Sequence, residues 1–241
     1  MSLYVYCVGE ELPDAAFEGL AGVDGAPVRL LRLGRLSAVV SEAGAQAAPV
    51  TDENVLAHSR VNAAALARTT PLPFRFGTRA ARERLTEYIS ANEASLVAAL
   101  TRVRGCVEMS VKLLERPQGE SEVGSRKSEV KTVAGGRGTA FLLAKQREIL
   151  GGEDARRRAE ELAAWLAAGV SGLARETAAR VRPAGAIALS AAHLVERARV
   201  AEYRTRLRSL GVERRDLRLL TSGPWPPYSF SDIRGTMSAE R

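Results

Sequence analysis

The sequence is poor in the residue types that most often carry chemistry. Its 241 residues include two cysteines, Cys7 and Cys106, and two histidines, His58 and His193. Both cysteines fall in predicted strands, so they read as buried thiols rather than a disulfide or a metal pair. The histidines are far apart in the chain, and no His-Glu-x-x-His, paired Cys-x-x-Cys or EF-hand spacing is present. Also missing are a Gly-x-Ser-x-Gly elbow and a Gly-Lys-Ser/Thr phosphate loop. Gly135-Gly136-Arg137-Gly138-Thr139 offers backbone donors ahead of a helix, but it lacks the strand and spacing of a phosphate loop and reads as linker. Carboxylates such as Glu160 and Glu161 sit on charged helix faces. The residues therefore nominate no catalytic, cofactor-binding or metal-binding site, and no cofactor.

Long apolar runs are absent as well, which excludes a transmembrane helix. Met1-Ser2-Leu3 leads straight into a strand pattern with no signal-peptide features, so the cytoplasm is the expected location. Lysine is scarce: only Lys112, Lys127, Lys131 and Lys145 stand among the 35 basic residues. With so much alanine beside so much arginine, this reads as genomic base bias. The net charge of +7 is unevenly placed. Residues 1–104 balance 11 Arg against 11 Asp and Glu, whereas residues 105–241 hold 24 basic and 17 acidic residues and so carry the whole excess. A basic half is compatible with a well-solvated surface or with an acidic partner.

Aromatic residues make up only 5% of the chain, and their densest cluster is Gly223-Pro224-Trp225-Pro226-Pro227-Tyr228-Ser229-Phe230. Three prolines forbid helix, remove three backbone donors and push the residues before them toward extended conformations. The segment is thus a stiff arm carrying Trp225, Tyr228 and Phe230. Read as a strap, it lays Trp225 and Tyr228 against the protein's own helices, where two domains meet. Read as a recognition arm, it presents them to a partner. The strap is the favoured expectation, and the two readings can coexist.

What is there in quantity is alternation and helical periodicity. Leu3 to Val8 is a strand ending at Gly9. A short helix over 12–20 and strands over 28–33 and 36–41, joined by the tight turn Gly34-Arg35, follow. Thr51 or Asp52 caps a helix to Arg68. Pro71-Leu72-Pro73-Phe74-Arg75-Phe76-Gly77-Thr78 is a short edge segment. One long helix is expected over 80–104, with Leu85, Tyr88, Ile89, Leu96, Leu100 and Val103 on its buried stripe. Then come a strand over 106–114, a polar stretch over 117–138, a helix over 139–150 broken at Gly151-Gly152, and a second helix over 153–181. A strand over 186–195, read either as one strand or as a shortened or bent pair, a helix over 197–210 and a strand over 216–221 complete the chain. Each half thus reads as strand, helix, two strands, helix, strand, the ferredoxin-like order. The expected fold class is α+β with two ferredoxin-like or modified ferredoxin-like domains and an extended C-terminal arm. The expected division is 1–116, a flexible linker at 117–138, 139–222, and a Pro/aromatic tail at 223–241.

The motifs in this order carry a resemblance. Val55-Leu56-Ala57-His58-Ser59-Arg60-Val61, the Pro71–Thr78 segment, Val107-Glu108-Met109-Ser110-Val111-Lys112, Ala192-His193-Leu194-Val195-Glu196 and the Gly223–Phe230 arm resemble the gas vesicle protein F/L family (GvpF/GvpL) over nearly the whole chain. His193 stands where the family usually has Tyr, and Met109 where an aromatic is common. The resemblance implies a non-enzymatic accessory protein, at the gas vesicle or in the cytoplasm. It would bind the small hydrophobic major shell protein (GvpA-like) and other gas vesicle accessory proteins, and help vesicles nucleate or assemble, with no nucleic acid and no membrane. The candidate partner- or domain-docking residues are Phe74, Phe76, Trp225, Tyr228 and Phe230. An RNA-binding ferredoxin-like module is the alternative from another class, although no strand carries the aromatic platform such modules use.

Overall fold

The computed structural model describes residues 2–116, 137–180, 187–231 and 233. Within them the chain forms two antiparallel sheets with helices between and outside. The first sheet contains β1 (Ser2–Glu10), β2 (Arg29–Leu33), β3 (Leu36–Glu42), β4 (Leu72–Pro73) and β5 (Arg79–Ala81). Its order is β2-β3-β1-β4, with β5 also pairing β1. The second contains β6 (Cys106–Glu115), β7 (Ala174–Arg180), β8 (Ile187–Glu196) and β9 (Leu217–Trp225), in the order β7-β8-β6-β9. With helices α4 (Arg137–Gly169) and α5 (Val200–Glu213), the second half is the complete ferredoxin-like unit. In the first half α1 (Asp52–Arg68) fills the second helix position, while the first is reduced to short 3-10 turns at Asp14–Ala16 and Val23–Gly25 in place of the expected helix over 12–20. The strand Cys106–Glu115, inside the expected N-terminal domain, is a central strand of the second sheet.

Sequence explains most of these elements directly. Thr51 caps α1 by accepting from the Asn54 backbone N–H, and Asp52 and Glu53 follow in the first turn, where the helix dipole favours negative charge. Buried residues of β1 serve both faces of its sheet. Leu3, Val5 and Val8 point into one core and Tyr4, Tyr6 and Cys7 into another, with a bulge between Val5 and Cys7. On the first face lie α2 (Arg82–Ala91) and α3 (Glu93–Val103), through Leu85, Ile89, Leu96, Leu100 and Val103. On the other lies α1, through Val61 and Ala65. The second sheet packs α4 and α5 on one face through Leu162, Leu166, Val170, Leu207 and Leu210. Its opposite face meets α2 and α3 through Ala192 and Leu194.

Three further expected elements differ. The helix expected over 80–104 is two helices meeting at Asn92, whose side-chain amide donates to the Tyr88 carbonyl at 2.8 Å. That local bond competes with helix continuation. The break expected at Gly151-Gly152 does not occur, because α4 runs through both; two helical glycines cost only about 1 kcal/mol each. The helix expected to continue to 181 ends at Gly169, and Ala174–Arg180 is instead strand β7, paired with β8 from Ala174↔Val195 to Arg180↔Ser190. Gly172, at φ +73°, supplies the left-handed turn between them. The strand over 186–195 is accordingly a full strand with β7 as its partner. The expected linker lies outside the described residues up to 136, and residues 137 and 138 open α4. Of the expected tail, residues 232 and 234–241 lie outside the described residues.

Candidate functional site

The C-terminal arm lies where the two sheets meet. Strand β9 does not stop at Thr221 but continues through Gly223-Pro224 to Trp225, which pairs with Glu108 of β6. The Gly223–Pro224 peptide is cis. Gly223 is required on two counts. Its φ is +116°, and an added Cβ would sit 2.7 Å from the Glu108 carbonyl oxygen. Past this point the chain leaves the sheet as a strap. The Ser229 backbone N–H donates to Glu108 Oε2 at 2.7 Å and its hydroxyl to Oε1 at 3.0 Å. Arg102 of α3 donates to the Phe230 carbonyl at 2.6 Å, and Ser231 to that of Pro73.

The five candidate docking residues take different positions. Phe230 and Phe74 are buried in one core cluster with Leu72, Leu100, Val103 and Leu194, so Phe230 joins elements of both halves. Phe76 is half-buried on the other side of the first sheet, 5.7 Å in ring centroid from His58. Tyr228 is 37% exposed, yet its hydroxyl lies 3.3 Å from His58 Nε2. Trp225 is 41% exposed, and its indole N–H donates to Ser222 in its own strand. The expectation that Trp225 lies against the protein's helices is therefore not met. Its place at the end of an edge strand leaves a wide share of the ring facing out, and Phe230 takes the buried position instead.

Beneath the strap is a polar cluster with an aromatic rim. His58 Nδ1 is 3.1 Å from the Tyr4 hydroxyl, which accepts from the Gly77 N–H, and Nε2 is 3.1 Å from Asn62 Nδ2. Burial holds the imidazole down at about 4, against a smaller opposing hydrogen bond to the Phe74 carbonyl. Burial likewise pushes the Tyr4 phenol up to about 12 and raises that of Tyr228. These groups are neutral across physiological pH and act as structural hydrogen bonders. His193, on β8, is 2.5 Å from the Tyr203 hydroxyl of α5 and is also held at about 4 by burial. Cys7 and Cys106 are free and buried. Among the described residues no His, Cys, Asp and Glu are grouped to hold a metal ion, and no helix is long and apolar enough to cross a membrane. The sheet face through which ferredoxin-like modules read RNA is occupied here: Ala192 and Leu194 pack under α3 and Phe230.

Glu108 is the residue sequence reasoning passed over. Its signal was a carboxylate at a position where the strand is otherwise buried, and a buried carboxylate demands donors. The strap's Ser229 provides two.

The family model for gas vesicle synthesis protein GvpL/GvpF matches residues 2–232. The chain belongs to this family. It is 30% identical to gas vesicle protein L of Streptomyces sp. (strain CB03234) over 252 aligned positions, covering 95% of this chain and 92% of the relative. It is 29% identical to gas vesicle protein L2 of Halobacterium salinarum (strain ATCC 700922 / JCM 11081 / NRC-1), with 95% and 90% covered. The fold is similar to the crystal structure of GvpF from Anabaena sp. PCC7120 (TM-score 0.74, 20% identity, 97% of each chain). It is likewise similar to that of GvpF from Microcystis aeruginosa (TM-score 0.73, 19% identity, 96% of this chain and 99% of that one). This GvpL/GvpF member is thus a gas vesicle protein with the family's two-sheet α+β fold, and its strap lies within the matched span.

Proposed function

We propose that this GvpL/GvpF member is a non-enzymatic accessory protein that binds the small hydrophobic major shell protein and helps vesicles nucleate or assemble, together with other accessory proteins. The observation that carries the reading is the division of labour within the strap. Phe230 and Ser229 anchor it, while Trp225 and Tyr228 remain partly outside on a segment whose path is already set. An aromatic held by prolines and anchors loses little entropy on docking, and such residues dominate interface energetics. Shell subunits of this kind would expose apolar surface before they assemble, an aggregation hazard that a transient binder suppresses. Val55 and Leu56 are further exposed apolar residues, on α1 of the first half. The test is deletion from a vesicle-forming gene cluster, with complementation by wild type and by Trp225→Ala. Loss of flotation on deletion, restored by wild type and not by the variant, is expected. Normal vesicle yield in the deletion strain without a paralogue contradicts the reading.

A further inference from the structure

The excess positive charge of the second half has a focus along β9, ending at Gly223 just before the strap. Strand β9 is the last in its sheet, and among the described residues no strand pairs with its outer edge. Leu217, Leu219, Thr221 and Gly223, at alternate positions of β9, face Leu207 and Gly211 of α5 across an open groove of about 520 Å³. Four arginines also line it: Arg116, Arg204, Arg208 and Arg218. Arg204 donates to the Gly223 carbonyl at 2.7 Å and Arg208 to Thr205 at 2.9 Å. None of the four has a carboxylate partner among the described residues. The contrast with the preceding residues is sharp, since Arg214 and Arg158 both pair with Asp216. From Leu217 to Trp225 the strand contains no acidic residue at all.

The geometry points to a docking groove for an extended acidic peptide segment of a partner protein, added to the outer edge of β9 as a further strand. An open edge offers backbone donors and acceptors in the spacing of a peptide, and alternate pockets select side chains at every second position. Leu207 and Leu217 are buried and form the floor, half-buried Leu219 and Gly223 with exposed Thr221 receive small or apolar side chains, and the arginines receive flanking carboxylates in charge-assisted bonds. Arginines also guard exposed edges against self-pairing. A guard, however, needs no groove with an apolar floor behind it. A nucleic acid would satisfy the arginines but leave the leucines and the strand edge unused. The inference stands whether or not the strap takes the shell protein.

The test uses fluorescence anisotropy on the full chain with a short fluorescein-labelled peptide of alternating Glu and Val. Controls are the same peptide with Pro at alternate Val positions, a Lys-for-Glu version and a single-stranded oligonucleotide. The acidic peptide is expected to bind in a salt-weakened manner, and the Pro and Lys versions at least about tenfold more weakly. Arg204→Glu with Arg208→Glu should cost at least about tenfold in affinity with the melting temperature unchanged. If that pair fails to fold, Arg218→Glu alone carries the same expectation of weakened binding. Equal binding of the Pro version overturns strand addition, and tighter binding of the oligonucleotide overturns the peptide assignment. Indifference to the arginine variants overturns the location, and no binding at all leaves the arginines as guards only and overturns the proposal.

Discussion

The first sheet carries helices on both faces, and its central strand β1 is buried along nearly its whole length. The second sheet carries its own helices on one face only and borrows α3 and the strap for the other. Each half also buries a histidine beside a tyrosine, with opposite results. His58 has neighbours for both ring nitrogens, one of them Tyr228 of the strap. His193 meets Tyr203 through Nδ1, while its Nε2 has no hydrogen-bond partner among the described residues. The first half is therefore wired to the strap through polar groups, and the second through packing and one carboxylate. The strap thus joins two units that finish their cores differently, and only its middle and end are structural.

The largest effect expected from breaking that arrangement is at Phe230. Removing a buried ring that touches elements of both halves should cost about 3–5 kcal/mol, a large share of a typical domain's stability. Phe230→Ala is thus expected to lower the melting temperature sharply and cut soluble yield, by calorimetry and expression against wild type. A melt within a degree or two of wild type would mean the strap is not a shared core element.

Acid sharpens the comparison of the histidines. Both imidazoles sit at about 4 in the fold against an ordinary 6.5. The unfolded chain then takes up protons first as the pH falls. Their contribution is full above about 6.5 and is lost progressively toward about 4, at about 1.4 kcal/mol per pH unit for each histidine. Urea unfolding at steps between pH 7 and 4.5 should show this fall, and His193→Gln should roughly halve the slope. A flat profile across that range would contradict neutral burial of both rings.

Glu108→Gln comes next. It keeps the shape but removes the charge that receives Ser229, and hydrogen bonds to charged groups contribute about 1.5–3 kcal/mol. Hydrogen exchange should speed up at Ser229 and Phe230 while β7 stays protected. Unchanged exchange at the strap would show that Phe230 alone holds it.

How much of this was legible in the sequence depends on whether local and tertiary signals agreed. Helix α1 has its cap at Thr51, its acidic first turn and its apolar face all in register, and its extent was readable, with Thr51 and Asp52 left as alternative caps. The β2–β3 hairpin was signalled by Gly34-Arg35, and the ferredoxin-like order by element spacing. Strand β7 was hidden because Ala-Arg-Glu-Thr-Ala-Ala-Arg is a helix former by composition. Only the pairing with β8 makes it a strand, and β preference is largely a matter of such surroundings. Asn92 hid the division of α2 from α3 for the converse reason: one side-chain bond redirected an otherwise continuous stripe. In the candidate site, the proline-aromatic arm stood out, but which ring went inside did not. Trp225, Tyr228 and Phe230 are all large aromatics, and the Glu108–Ser229 anchor beside Phe230 goes with the ring that is buried, while Trp225 stays at the sheet edge.

The smallest expected change in stability accompanies the most direct test. Trp225→Ala removes a ring that is 41% exposed and bonded only within its own strand. A stability change of at most about 1 kcal/mol and a clear loss of shell-protein capture are expected, measured as a thermal melt beside a pull-down with purified shell protein. A steep drop in melting temperature with capture intact would contradict this expectation, because the ring would then belong to the fold and the partner surface would lie elsewhere.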